Sequence, residues 1–193
     1  PRLGTYFLET GASQRPSKVV YDRAGSSVAL IDPDELDPEA IFDGASWFHF
    51  TGITPALGGR AADAVTKLAA AAQDRGVRVS CDLNFRAKLW SQEQARATMR
   101  PLMEYVDVCI CNEEDADRCL GVHAEGSDVD RGALNLDGYR ALAATLRDDF
   151  AFQTVAITLR ESISASRNLW SAIITDHRTA STPYHSTKYD IQI

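Results

Sequence analysis

Cys81-Asp82-Leu83-Asn84-Phe85-Arg86, followed closely by Leu89-Trp90, is the stretch that decides how this chain folds. The apolar run from Val77 to Leu83 predicts a buried strand, and it ends in an amide and a guanidinium. Packing a strand requires neither group. At the carboxyl end of a buried strand, Asn84 and Arg86 are suited to grip a polar, anionic small molecule, because a guanidinium offers a bidentate fork to carboxylate or phosphate.

Outward from that strand the pattern alternates. On its amino side, Trp47–Thr51 predicts an apolar strand ending at Gly52. A helix follows from Arg60 to Arg75, with Ala61, Val65, Leu68, Ala69 and Ala72 on one face and Gly76 as its stop. On its carboxyl side, Ser91-Gln92-Glu93-Gln94 fits a capping box, and the helix it opens turns Met99, Leu102 and Met103 inward. Val106–Cys111 reads as a strand, Glu113–Leu120 as a short helix closed by Gly121, and 123–132 as a polar surface loop. Leu136–Arg147 is a helix with Tyr139, Leu142, Ala143 and Leu146 on one stripe; Thr154–Leu159 and Leu169–Thr175 are strands. Strand–helix–strand repetition with continuous apolar strands predicts an α/β core whose parallel sheet is covered on both faces.

Residues 1–31 differ. Leu3–Glu9 and Lys18–Arg23 are short β-prone segments joined by a loop at 11–16, with a third strand expected at Ser27–Ile31 and no helix between them. Asp32-Pro33-Asp34 and Asp37-Pro38 mark the change of organisation. The expected division is a small β lid with its connection over 1–31 and an α/β core over 32–193.

The composition narrows the partners. With 193 residues, 45% hydrophobic, the chain suits one packed domain with an appendage. A net charge of -7 and the lack of a basic cluster argue against nucleic acid and anionic membrane as partners. No apolar run reaches membrane-spanning length, and the first residues do not read as a signal peptide. Cys81, Cys109, Cys111 and Cys119 lack zinc-knuckle spacing and read as buried, reduced thiols of a cytoplasmic protein.

In an open α/β sheet, ligands bind beyond the carboxyl ends of the strands. Four such ends are legible: Gly52-Ile53-Thr54-Pro55, Asn84-Phe85-Arg86, Asn112-Glu113-Glu114-Asp115 and Thr158-Leu159-Arg160-Glu161-Ser162. Asn112 is equally a good N-cap, and the acidic turn after it suits a helix start on dipole grounds alone. The functional alternative is that Glu114 and Asp115 help organise hydrated Mg²⁺ beside a nucleotide. In the lid, Tyr21 and Arg23 share one face of a strand, where a phenol and a guanidinium could close over a substrate; an ordinary exposed face is the alternative. His49, inside an apolar strand, reads as a satisfied core histidine. The chain has no nucleophile elbow, P-loop or dinucleotide fingerprint.

Taken in order, Tyr6-Phe7-Leu8-Glu9, Ser13-Gln14-Arg15-Pro16-Ser17-Lys18-Val19, Trp47-Phe48-His49-Phe50-Thr51-Gly52-Ile53, Asp82-Leu83-Asn84-Phe85-Arg86, Asn112-Glu113-Glu114-Asp115 and Ala156-Ile157-Thr158-Leu159-Arg160-Glu161-Ser162 resemble the ribokinase-like sugar kinases, and within them the 2-keto-3-deoxygluconate kinase branch. The resemblance covers nearly the whole chain. It implies a three-layer ribokinase-like core with a small β lid, and ATP-dependent phosphorylation of a sugar acid at its terminal hydroxyl with ATP and Mg²⁺. Carried over by position, Tyr6, Tyr21, Arg23, Ile53 and Arg86 would bind the sugar acid. Asn84, Arg86, Asn112, Thr158, Arg160, Glu161, Ser162 and Ser164 would face the nucleotide, with 158–164 as a loop along it, and Glu114 and Asp115 would serve the metal. The lid of such kinases often mediates homodimers. Another sugar kinase of the fructokinase or ribokinase type, or a non-catalytic sugar-acid or nucleotide-binding module, are the alternatives.

Two departures from the resemblance stand out: Arg160-Glu161-Ser162 replaces a glycine-rich nucleotide loop, and Asp115 stands where many relatives carry glutamate. A third concerns catalysis. The family's base is the aspartate of a Gly-x-Gly-Asp element that also forms an anion hole, and these residues contain none. We therefore assign no catalytic residue, expect the chain to be the central part of a longer protein, and expect no turnover from it alone.

Overall fold

The computed structural model describes residues 2–11, 15, 17–123, 136–164, 167–176 and 183–192. Most of the polar stretch expected as a surface loop at 123–132 lies outside them.

Near the amino end, β1 (Thr5–Glu9) and β2 (Lys18–Asp22) pair antiparallel as a separate two-stranded sheet, with Tyr6 opposite Tyr21 and Phe7 opposite Val20. The third lid strand expected at Ser27–Ile31 is a run of turns. Leu30 N–H donates to Ser26 O at 3.0 Å, and the extended pairing is limited to a bridge between Arg2 and Ser26. Local turn hydrogen bonds thus take up backbone groups that a strand partner would otherwise satisfy.

A short helix α1 (Pro38–Ile41), N-capped by the Asp37 side chain, leads into the core. There β3 (Trp47–Thr51), α2 (Gly59–Asp74), β4 (Arg78–Asp82), α3 (Gln92–Leu102) and β5 (Val108–Cys111) alternate as expected. Gly76 takes φ +68, the left-handed stop that suits glycine after α2. The capping box opening α3 is present in full: Ser91 Oγ accepts Gln94 N–H, and Gln94 Oε1 accepts Ser91 N–H at 2.9 Å.

The expected helix at 113–120 forms in two parts. A single α turn, α4 (Glu113–Asp115), widens into a π turn over Ala116–Leu120 that Gly121 closes at φ +74. Then α5 (Leu136–Phe150) returns to β6 (Thr154–Ser164), which pairs antiparallel with β7 (Arg167–Asp176). Two short strands, β8 (Tyr184–His185) and β9 (Tyr189–Gln192), both pair with β7.

Among the described residues the large sheet has seven strands in the order β3-β4-β5-β6-β7-β8, with β9 also on β7; β3 to β6 are parallel. That order explains where the helices lie. Each parallel connection moves to the next strand in the same direction, and right-handed crossovers then place every connecting helix on the same face. The apolar cluster confirms it. Val79, Cys81, Cys109, Cys111, Val155, Ile157 and Leu159 share one face of the sheet, and they are buried with Val65 and Ala69 of α2, Met99 and Leu102 of α3, and Leu142 and Leu146 of α5.

The opposite face carries Trp47, His49, Ile110, Ala156 and Thr158, which are exposed or half-buried, Trp47 at 50%. Of the three expected layers, the described residues thus supply the sheet and one helical layer. His49 is consequently not a core histidine; it sits on the open face with Nδ1 2.8 Å from Ser80 Oγ, which also accepts from Trp47 Nε1 at 2.7 Å.

Candidate functional site

The parallel strands end side by side, and their carboxyl ends are held together by main-chain hydrogen bonds. Gly52 N–H donates to Asp82 O at 2.8 Å, and Leu83 N–H donates to Ile110 O at 3.0 Å, so three strand ends are drawn level. Just beyond them Asn84 takes φ +41, a left-handed conformation unusual for a residue with a Cβ. Its Nδ2 donates to Thr51 Oγ1 at 3.2 Å, and Ile53 N–H reaches the same oxygen at 3.4 Å. Thus Asn84 and Ile53, assigned to nucleotide and sugar acid respectively, meet at Thr51, which the sequence reading did not single out. Its position as the last polar residue of β3 was the available signal.

Arg86 follows on the same turn, among carboxylates. Burial raises the Asp82 carboxyl above its ordinary value, and His49, Arg86 and the Asn84 N–H partly offset this. Asp115 is pushed up to about 6, chiefly by burial; the N–H groups of Phe85 and Asn112 pull it down, Asp82 pushes it up and Arg86 pulls it down. The Arg86 charge thus lowers both carboxyl groups against the burial that raises them. Asn112 caps α4: its Oδ1 accepts Asp115 N–H at 2.7 Å, so the capping reading of Asn112 holds alongside its place at the strand end.

The two acidic candidates face opposite ways. Glu114 is exposed and lies 3.9 Å from Arg118, whereas Asp115 is 8% exposed and accepts Phe85 N–H at 2.8 Å. Among the described residues no group of three or more His, Cys, Asp or Glu is placed to hold a metal.

The segment 158–164, expected as a loop, is strand instead. β6 pairs with β5 only as far as Cys111 opposite Ile157, and then continues to Ser164 on β7 alone. It projects past the carboxyl edge of the parallel strands as one arm of a hairpin. Thr158 Oγ1 donates to Cys111 O at 3.4 Å, at the root of the arm.

Farther out, Arg160 Nε and Ser162 Oγ both donate to Asn168 Oδ1, at 3.0 and 3.2 Å, and the Arg160 guanidinium lies 5.5 Å from the centre of the Trp170 ring. Glu161 pairs with Lys188, and Ser164 lies opposite Arg167. Asn168 and Trp170 were missed because they become neighbours of 160–162 only once the hairpin register is known.

In the lid, Tyr6, Tyr21 and Arg23 form a group of their own. The two rings are 6.2 Å apart, the Arg23 guanidinium lies 4.2 Å over the Tyr21 ring, and Tyr6 and Tyr21 are 67% and 53% exposed. An exposed pair of phenols beside a guanidinium is a surface able to take a hydroxylated anion.

Comparison with known proteins agrees with this fold. A crystal structure of 2-dehydro-3-deoxygluconokinase from Thermotoga maritima superposes with a TM-score of 0.90 at 48% identity, covering 100% of this chain and 56% of that one. A 2-dehydro-3-deoxygalactonokinase of Haloferax volcanii is 36% identical over 86% of this chain and 48% of its own length. A 2-dehydro-3-deoxygluconokinase of Thermoproteus tenax is 34% identical over 55% of this chain and 32% of its own. The chain thus spans about half the length, or less, of the curated relatives it matches. The family model for pfkB family carbohydrate kinases matches residues 2–161. The chain belongs to the pfkB family of carbohydrate kinases, on a ribokinase-like α/β fold.

Proposed function

We propose that this chain forms the sugar-acid pocket and the adjoining nucleotide wall of an ATP-dependent 2-keto-3-deoxygluconate kinase. The observation that carries the reading is that one carboxyl edge carries Thr51 bonded to Asn84, Arg86 whose charge lowers the Asp82 and Asp115 carboxyls, and the Arg160–Ser162–Asn168 arm. Two cationic groups, Arg86 on the turn after β4 and Arg160 on the extension of β6, lie at an edge where phosphates and a carboxylate could bind. Phosphoryl transfer asks chiefly for positioning and charge neutralisation.

In this reading Tyr6, Tyr21 and Arg23 cover the sugar acid from the lid, and Ile53 and Arg86 line its pocket. Asn84, Arg86, Asn112, Thr158, Arg160, Glu161, Ser162 and Ser164 face the nucleotide. Mg²⁺ would neutralise phosphate charge near the Glu113–Asp115 turn, with Glu114 reaching its water shell and Asp115 acting from farther in. The exposed lid hairpin is also the proposed surface for pairing two copies, and the cytoplasm the proposed location. A galactonate-type substrate is the second reading, favoured by the Haloferax relative.

The test is ADP release by the enzyme expressed from its complete reading frame, with ATP, Mg²⁺ and each sugar acid. Turnover of 2-keto-3-deoxygluconate, lost or reduced at least a hundredfold in Arg86→Ala, is expected. Activity on fructose or ribose instead would reject the reading, as would binding without turnover of any sugar. The 193 residues by themselves, having no Gly-x-Gly-Asp element, are expected to give no turnover.

A further inference from the structure

We propose that Asp115 is a positioning residue: from inside the protein it sets the backbone of the Asn84–Phe85–Arg86 turn, and so aims the Asn84 and Arg86 side chains, instead of serving as a cation ligand. The turn needs such support. Asn84 at φ +41 lies in a region that costs a residue with a Cβ about 1 kcal/mol or more, and it persists only where neighbours over-determine it. On one side the support is Thr51 Oγ1, which accepts Asn84 Nδ2–H. On the other it is Asp115 Oδ1, which accepts Phe85 N–H at 2.8 Å.

Asp115 is itself fixed at both ends of its residue. Its N–H donates to Asn112 Oδ1 at 2.7 Å, and its Oδ2 lies 3.5 Å from Asn112 N. One carboxylate therefore joins the exit of β4 to the exit of β5, 30 residues apart in sequence. Glu114, one residue earlier, points to solvent and has none of these contacts. A cation ligand would present its oxygens outward; Asp115 has turned them onto backbone N–H groups and is 8% exposed.

That Arg86 and Asn84 grip substrate and nucleotide rests on the function proposed above; that Asp115 holds the turn does not. The experiment separates the two. Amide hydrogen exchange at Phe85 is followed in the wild-type chain and in Asp115→Asn, Asp115→Glu and Asp115→Ala, alongside KM and kcat of the complete enzyme. Asn keeps an acceptor oxygen without charge; Glu keeps the charge but moves the oxygens.

The expected result is Phe85 exchange within about threefold of wild type in Asp115→Asn, at least tenfold faster in Asp115→Glu and Asp115→Ala, and unchanged at Val155 in all four. In the enzyme, Asp115→Asn keeps the Mg²⁺ requirement of wild type, while Asp115→Glu raises KM for the sugar acid. Should Asp115→Ala fail to fold, the Asn and Glu pair decides. Slow Phe85 exchange in Asp115→Glu overturns the proposal, and so does an Asp115→Asn enzyme that needs more Mg²⁺. If the enzyme phosphorylates no sugar acid, the functional reading fails while Phe85 exchange still decides the role of Asp115.

Discussion

Replacing Gly52 with alanine should open the candidate site at its base. Gly52 is buried where β3 ends against β4, and its φ is not in the left-handed region, so the constraint is one of space alone. A Cβ there would lie 2.1 Å from Leu83 O, 3.1 Å from Leu83 C and 3.4 Å from Met99 Cε. A methionine tip can swing aside, but the carbonyl cannot: Leu83 is fully buried and its N–H is bonded to Ile110 O at 3.0 Å. The strand ends must then part by roughly 1 Å, since a Cβ needs about 3 Å.

That movement breaks the 2.8 Å bond from Gly52 N–H to Asp82 O, about 1 kcal/mol, and overpacks the core, about 1–3 kcal/mol, for a total of about 2–4 kcal/mol. The control is Gly44→Ala. Gly44 has φ +69 and open space around it, so only the left-handed backbone resists, at about 1–2 kcal/mol. Urea unfolding of both variants measures the difference, and Gly52→Ala should also weaken ligand binding because Thr51 and Asn84 lie on the two parted strands. A Gly52→Ala protein within 0.5 kcal/mol of wild type would falsify the steric reading, as would Gly44→Ala proving the more damaging.

Two further outcomes follow from the titrating groups. All four cysteines are free and buried, and burial raises the Cys81 and Cys119 thiols, Cys119 to about 12. Native protein should therefore resist iodoacetamide from pH 7 to 9 and react with four equivalents only on unfolding; rapid native alkylation of even one thiol contradicts the burial. Asp190 is held below its ordinary value by the Arg167 guanidinium, which donates from Nε at 3.1 Å and from a terminal nitrogen at 2.7 Å. A lowered carboxyl lends stability that is full above the ordinary value of 3.8 and is lost as pH falls through the lowered one. Exchange protection of the β7–β9 amides should thus decline in acid before that of β6–β7, and equal decline in both would refute the assignment.

What was legible in the chain was local. Ser91 and Gln94 announce a capping box because both halves of it lie within one turn. Trp47–Thr51 announces its strand through its own aromatic and β-branched residues, and Gly76 announces a helix stop through its backbone freedom. The resemblance carried by Asp82–Arg86 and its companion motifs brought the fold with it. The misreadings were of pairing. Arg160-Glu161-Ser162 is polar and looks like a loop, and nothing within it says that Asn168 waits across a hairpin to accept from both Arg160 and Ser162. Ser27–Ile31 has strand-like residues but finds its hydrogen bonds in turns. His49 reads as a core residue because its neighbours are apolar, yet it lies on the sheet face that the connecting helices do not reach.

The same distinction divides the candidate site into two halves of different mechanical character. On the β3–β5 side, positions are set by bonds that tie neighbouring strand ends together, most of them through the backbone: Ile53 N–H and Asn84 Nδ2 to Thr51 Oγ1, Phe85 N–H to Asp115, Gly52 N–H to Asp82 O. A change there moves the main chain, and with it every group the turn carries. On the β6–β7 side, Arg160 and Ser162 are gathered on one side-chain oxygen of Asn168, above a hairpin whose own ladder is continuous from Thr154 to Ser162. Loss of Asn168 would release two side chains while leaving that backbone in place. Damage on the first side should therefore appear as lost geometry at the reacting groups, and damage on the second as lost affinity for whatever lies along the arm. The strand order explains why both halves lie at one edge of the sheet. Four parallel strands laid down in one direction bring all their carboxyl ends to one edge, and β6, seven residues longer than its pairing with β5 requires, carries the second half out beyond that edge.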